Sequence, residues 1–374
     1  MTLSVGVVYS ASATWGLIKL RGTGWLLGSH ALKVVLGFIV MLVMMQVDYH
    51  VYKRISKVLL FIMVILLAVT LKFGTGGEEK HATRWLRIAG VGIQPAEFAK
   101  YALIFHLAAL FSEKKGLIRE FKAGFLPLMI WVAAVTGLVL LQPNFSNGAM
   151  IFGLSLVMLY VGRARVSHIA LSIGALVPLL TVYMLSADYR RVRIMNFLNG
   201  GSGTGNTAQH QLLQGIIGFG NGGIFGVGPG ESRQRDLFLP ESYGDFVFSI
   251  IGEEYGLIGT LFIMLLFLTI MVRGMTIAKH ARDDFGRFLA LGITFCVTLY
   301  ALVNAGVTLG ILPTTGLPMP FISYGGSSML VSAAAIGVLL NISSQTDLRP
   351  RLARSSGSVR AMQPVQTPAV GKVY

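Results

Sequence analysis

Residues 233–259 read RQRDLFLPESYGDFVFSIIGEEYGLIG. The stretch opens as a polar loop with Arg233 and Arg235, turns at Leu239-Pro240-Glu241 and becomes a long apolar run. Asp245 stands at the junction, and Glu253 and Glu254 lie inside the run. A bilayer core takes ~20 apolar residues to cross, and an ionisable residue at that depth is expensive unless it has a partner or a task.

The rest of the chain repeats the apolar theme. Of 374 residues, 54% are hydrophobic and only 13% charged, with a mean hydropathy of +0.69. A soluble domain carries about 25% charged residues. The predicted fold class is therefore all-α, a polytopic integral membrane protein with about ten transmembrane helices. Apolar runs place them near 3–20, 27–47, 57–73, 95–112, 125–142, 148–162, 167–186, 245–272, 286–310 and 321–343. Residues 1–345 form the membrane domain, with outer loops at about 73–94 and 186–244. The second is the large extracytoplasmic loop between helices 7 and 8, too long for a simple connector. It contains GGSGTGN at 200–206 and GFGNGGIFGVGPG at 218–230. Residues 346–374, rich in Arg, Ser, Pro and Val, are expected to be a disordered tail. The first apolar run lacks a basic leader and reads as a membrane helix, not a cleaved signal. No internal repeat supports an inverted-repeat transporter.

The formal net charge is +15. Connecting loops alternate in basicity, with 18 Lys and Arg on one side and 11 on the other. The richer set is cytoplasmic by the positive-inside rule, which puts both termini inside. This accounts for much of the charge without nucleic acid, and the remaining excess suits a phosphate-bearing substrate. The single cysteine, Cys296, excludes an intrachain disulfide.

At 100° per residue, Ser249, Gly252, Gly256 and Gly259 fall within about 40° of Asp245 on a helix starting there. The acid thus heads a smooth face, fit for a prenyl chain or for a neighbouring helix. A helix start lowers an acid's pKa and apolar surroundings raise it. Glu253 and Glu254 point elsewhere, about 80° and 180° around, and pairing with Lys33 or Lys100 is expected for at least one. In Gln94-Pro95-Ala96-Glu97-Phe98-Ala99-Lys100, Pro95 suits a first helical turn and Glu97 can pair with Lys100 at i, i+3. Arg84 and Arg87 flank Trp85 and suit either diphosphate binding or headgroup anchoring. Residues 312–328 carry three prolines and three glycines and read as a re-entrant segment lining a pocket. The glycine-rich loop before Glu231 lacks Gly-Lys-Ser/Thr and is no phosphate loop. No metal-ligand spacing and no serine-hydrolase motif occur.

Four stretches resemble the SEDS family of shape, elongation, division and sporulation proteins. They are YSAS at 9–12, RWL…QPAEFAK at 84–100, FLPESYGDFVFSIIGEEYGLIG at 238–259 and GLPMPFISYGGSSM at 316–329. The resemblance spans nearly the whole chain and is closest to the division branch. It implies a ten-helix peptidoglycan glycosyltransferase that polymerises lipid II, in the cell membrane at the septum. Asp245 then matches the family's catalytic aspartate and activates the acceptor sugar's 4-hydroxyl. Arg84, Arg87, Glu97, Lys100, Arg233, Arg235, Glu241, Ser323 and Tyr324 are the expected substrate-binding residues. A divalent cation, Mg or Mn, is expected to assist, with Asp245 as a possible ligand and no organic cofactor. Implied partners are lipid II, the growing glycan strand, a class B penicillin-binding transpeptidase and other divisome membrane proteins. The chain has Gln142-Pro143-Asn144 where the family commonly has Gln-Pro-Asp, and Gly244 where Thr is common. Two alternatives stay open: a flippase for lipid-linked precursors, motivated by Lys100, Glu253 and Glu254, and a non-catalytic scaffold for a transpeptidase.

Overall fold

A computed structural model describes residues 1–19, 23–76, 83–88, 90–186, 191, 195, 197, 207–235, 239 and 243–346. The expected tail, the GGSGTGN tract and Glu241 lie outside these residues. Every apolar run forms a helix. They are α1 (Thr2–Lys19), α2 (Thr23–Gln46), α3 (Tyr49–Phe73), α4 (Pro95–Glu113), α5 (Leu126–Leu141), α6 (Phe145–Val161) and α7 (Val166–Leu185). After α8 (Thr207–Gly222) come α9 (Val247–Lys279), α10 (Asp284–Thr308) and α11 (Gly326–Gln345). Among the described residues seven spans are long and apolar enough to cross a membrane. The chain is an integral membrane protein of the all-α class.

Three expectations need correction. Residues 186–244 are not all loop, because α8 lies within them. The eighth apolar run becomes helical at Val247, two residues after Asp245, and continues to Lys279. The last helix starts at Gly326, so Phe321 to Gly325 belong to the irregular segment before it. The loop at 73–94 also folds locally: β1 (Leu86–Ile88) pairs antiparallel with β2 (Val91–Ile93) around Gly90, whose φ is +82°.

Helix α4 is the centre of the bundle. It is buried on all sides and mostly apolar, as an enclosed helix is, and Leu103, Ile104, Leu107 and Phe111 are almost fully buried. Ala96, Ala99, Ala102, Ala108 and Ala109 let its neighbours approach closely.

Short turns are pinned at one end of the bundle. Asp48 caps α3 by accepting from His50 N at 2.9 Å, and Asp283 caps α10 by accepting from Gly286 N at 3.2 Å. Asn341 of α11 accepts from Tyr49 N at 2.9 Å and donates to Met45 O at 2.8 Å. Lys115 pairs with Asp284 across the same end. The opposite end, called here the long-loop end, carries the hairpin, α8, the start of α9 and residues 312–325.

Helix α9 is broken. Gly256 takes φ +62° and ψ −160°, a region that is essentially glycine's alone. The loop after α8 fills the gap. Val227 N donates to Glu253 O at 2.9 Å and Gly228 N to Glu254 O at 3.1 Å. In return Leu257 N donates to Gly223 O at 2.9 Å and Ile258 N to Ile224 O at 3.2 Å. Unpaired backbone groups are not tolerated in hydrocarbon, so the break exists only with this partner. A Cβ on Gly256 would stand 2.5 Å from Gly226 N.

Candidate functional site

Asp245 is half-buried just before the first turn of α9. Asn304, buried in α10, donates through Nδ2 to Asp245 O at 2.7 Å and to Leu317 O at 2.8 Å. One amide thus ties the start of α9 to the 312–325 segment. Gly316 lies beside the acid: a Cβ there would be 3.5 Å from Asp245 Oδ2. Gly316 is exposed and has φ +68°, so the carboxylate borders an open edge that only a glycine leaves clear.

The 312–325 segment has no helix, yet Leu317, Met319, Ile322 and Ser323 are buried. Ser323 Oγ accepts from Met319 N at 2.8 Å and closes a turn. Tyr324 N donates to Tyr243 O at 2.9 Å, and the two rings stand edge-on with centroids 5.5 Å apart. Tyr324 Oη shares a hydrogen bond of 3.1 Å with Ser29 Oγ on α2. The segment therefore packs between α2 and the approach to α9, with Asp245 at its flank.

The expected cations are dispersed. Lys100 Nζ lies 2.6 Å from Glu97 Oε2 in the buried core, and 3.9 Å above the Tyr300 ring. The i, i+3 pairing holds, but neither residue is presented at the mouth. Arg84 donates to Pro143 O, and so ties the hairpin to the α5–α6 turn. Arg87 and Arg233 are exposed. Arg235 Nη1 donates to Ser10 Oγ at 3.3 Å, and Ser10 in turn donates to Glu254 Oε1.

The glutamates differ from expectation. Neither Glu253 nor Glu254 pairs with Lys33 or Lys100. Glu253 accepts from Ser232 Oγ, from Gln234 N at 3.2 Å and from Asn221 Nδ2 at 3.2 Å. Hydroxyl and amide donors brought by the long loop replace the expected lysine. The smooth face below Asp245 is covered too. A Cβ on Gly252 would meet the Phe219 ring at 2.2 Å, and one on Gly222 would meet Gly252 O at 2.0 Å. Helix α8, absent from the sequence reading, occupies that face, and past Gly256 the 100° stepping no longer applies.

Reasoning from the sequence missed Asn304 and Gly316. A lone Asn inside an apolar run was the signal for the first. Among the described residues no three His, Cys, Asp or Glu side chains gather to hold a metal.

A family model described as "Cell cycle protein", covering FtsW, RodA and SpoVE, matches residues 1–348. The "Probable peptidoglycan glycosyltransferase FtsW" of Geobacter metallireducens is 39% identical over 341 residues, 91% of each chain. "Stage V sporulation protein E" of Bacillus subtilis is 37% identical over 352 residues, 92% of this chain and 93% of that one. Among solved structures, a chain from a "peptidoglycan synthase complex" superposes with TM-score 0.71 at 23% identity, covering 91% of this chain and 96% of that one. The rod shape determining protein RodA of Thermus thermophilus superposes with TM-score 0.67 at 22% identity, over 92% and 94%.

Proposed function

The chain belongs to the FtsW/RodA/SpoVE (SEDS) family, and from that premise we propose how it works as a peptidoglycan glycosyltransferase. It polymerises lipid II into glycan strands during cell division. Asp245, held at an open edge by Asn304, is the observation that carries this reading. The carboxylate takes the proton of the acceptor sugar's 4-hydroxyl. That oxygen bonds to the donor's anomeric carbon, and the bond from this carbon to the diphosphate oxygen breaks. The electron pair leaves with undecaprenyl diphosphate. One displacement inverts the anomeric centre and needs a base but no second, nucleophilic carboxylate. Among the described residues Asp245 is the acid at this edge, and it suits that requirement.

The diphosphate brings negative charge to the same place. A magnesium-type cation commonly combines one or two carboxylates with substrate phosphates, and Asp245 is the carboxylate available to it. Such an ion would neutralise charge on the leaving group.

Supporting the division branch are relatives named FtsW at 39% identity, with a sporulation relative near them at 37%. The long-loop end faces outward in this reading, both termini are cytoplasmic, and the protein works at the septum. Its crosslinking partner is a class B penicillin-binding transpeptidase, among other divisome membrane proteins. The synthase complex whose fold this chain shares is described as coordinating polymerisation with crosslinking. The transport alternative drew on Lys100, Glu253 and Glu254, and all three are committed to partners within the fold.

The deciding experiment is polymerisation of lipid II by the purified chain with Mg or Mn. Asp245→Asn is expected to keep the wild-type Tm and to lose at least about 100-fold in rate. An Asn variant as active as wild type would reject the base, and lipid II moved between leaflets without polymer would favour transport.

A further inference from the structure

One cation near the site has no task in the mechanism. Lys33 is half-buried in α2, about 15 Å from that helix's start. Its Nζ stands 3.7 Å from the centroid of the Tyr324 ring. Its stem runs along the start of α11, where a Cβ on Gly326 would lie 3.5 Å from Lys33 Cε. Ser29 and His30 flank it: Ser29 bonds the Tyr324 hydroxyl at 3.1 Å, and the His30 ring lies 5.6 Å from the Tyr324 ring. Tyr324 in turn is bonded to Tyr243, two residues before Asp245.

Of the other cations at this end that the sequence singled out, each described one is either committed or open to solvent. Lys100 has Glu97, Arg84 has Pro143 O, and Arg235 has Ser10 with Glu254 behind it. Arg87 and Arg233 are exposed. Among the described residues no carboxylate pairs with Lys33. An aromatic face offsets part of the cost of an ammonium in a membrane helix, and an anion would offset the rest.

We infer that Lys33, with the Tyr324 and Ser29 hydroxyls beside it, binds the diphosphate of the lipid-linked sugar donor. This rests on the polymerase reading and adds to it the group that receives the leaving charge. An ammonium offers three donors to phosphate oxygens. The electron pair of the breaking bond ends on a diphosphate oxygen, so a cation already shed of part of its water stabilises the transition state. Tyr324 couples this site to the base, because its ring carries the lysine and its backbone holds Tyr243.

The test is equilibrium binding of farnesyl diphosphate to the purified full chain in nanodiscs. Parallel titrations use farnesyl monophosphate, inorganic diphosphate and phosphatidylglycerol. Lys33→Met and Lys33→Gln are expected to weaken farnesyl diphosphate binding by about tenfold or more, as loss of a charged hydrogen-bond donor does. Lys33→Arg should stay within about threefold, since it keeps the charge. All variants should keep the wild-type Tm. Unchanged binding in Lys33→Met and Lys33→Gln would overturn the assignment. So would an equal loss in Lys33→Arg, which would assign the residue to packing, or an equal loss of phosphatidylglycerol binding, which would make it a headgroup site. A wild-type chain that binds farnesyl diphosphate through Lys33 yet makes no glycan would overturn the polymerase reading and leave this site standing.

Discussion

Asn304 donates both protons of one amide to carbonyls of two irregular segments, Asp245 and Leu317. Its removal takes one hydrogen bond from each carbonyl, the one at Leu317 buried, and a buried acceptor left without its donor costs about 1–3 kcal/mol. Asn304→Leu is therefore expected to lower stability by about 1–3 kcal/mol and to reduce kcat more than KM, measured by thermal unfolding and lipid II kinetics. Gly316 makes a sharper case. Gly316→Ala strains a backbone at φ +68° and sets a methyl 3.5 Å from the Asp245 carboxylate. Polymerisation should fall while helix content by circular dichroism stays unchanged. The place of Asp245 at the head of an apolar run was legible in the sequence, whereas its role as a base came from the family resemblance. Asn304 showed only as a lone Asn in an apolar run, and that signal does not name the two carbonyls, distant in the chain, that give it its value. Ser323 is a related case. Its motif marked it for substrate, and its hydroxyl oxygen also closes a turn.

Helices explain themselves differently. Hydropathy located all ten apolar runs, since burial in lipid needs only length and composition. It overlooked α8, whose Thr207–Gly222 sequence mixes Gln, Asn and Gly with apolar residues and gains its place by packing on α9. The break at Gly256 was equally hidden, because GEEYGLIG reads as continuous helix until residues 222–228 are brought against it. Gly256→Ala is expected to destabilise by more than about 1–3 kcal/mol, the cost of a backbone region reserved for glycine, with a clash added. Proteolysis of the long loop in detergent should speed up accordingly. Within α4 the buried Glu97–Lys100 pair predicts a non-additive result. Glu97→Gln strands a buried ammonium and should cost about 3–5 kcal/mol, whereas Glu97→Gln combined with Lys100→Met should recover most of it. A double-mutant cycle on thermal stability reads this directly.

Across the whole molecule, two asparagines do similar work at opposite ends. Asn341 staples the α2–α3 turn to α11, and Asn304 staples the site. Lys115 and Arg233 lie at those two ends, so their sidedness tests the orientation. With both termini inside, Lys115→Cys should react with an impermeant maleimide only from the cytosol and Arg233→Cys only from outside. Cys296 is buried and should give no background. The joint at Gly256 has a consequence for solvent isotopes. The amides of Leu257 and Ile258 follow a helix break, where fraying would ordinarily let deuterium in quickly. Because Gly223 and Ile224 carbonyls hold them, they should exchange as slowly as the middle of a rod. One residue inserted between Ile224 and Val227 would keep the two pairs of bonds from forming together and should speed exchange at Leu257 and Ile258.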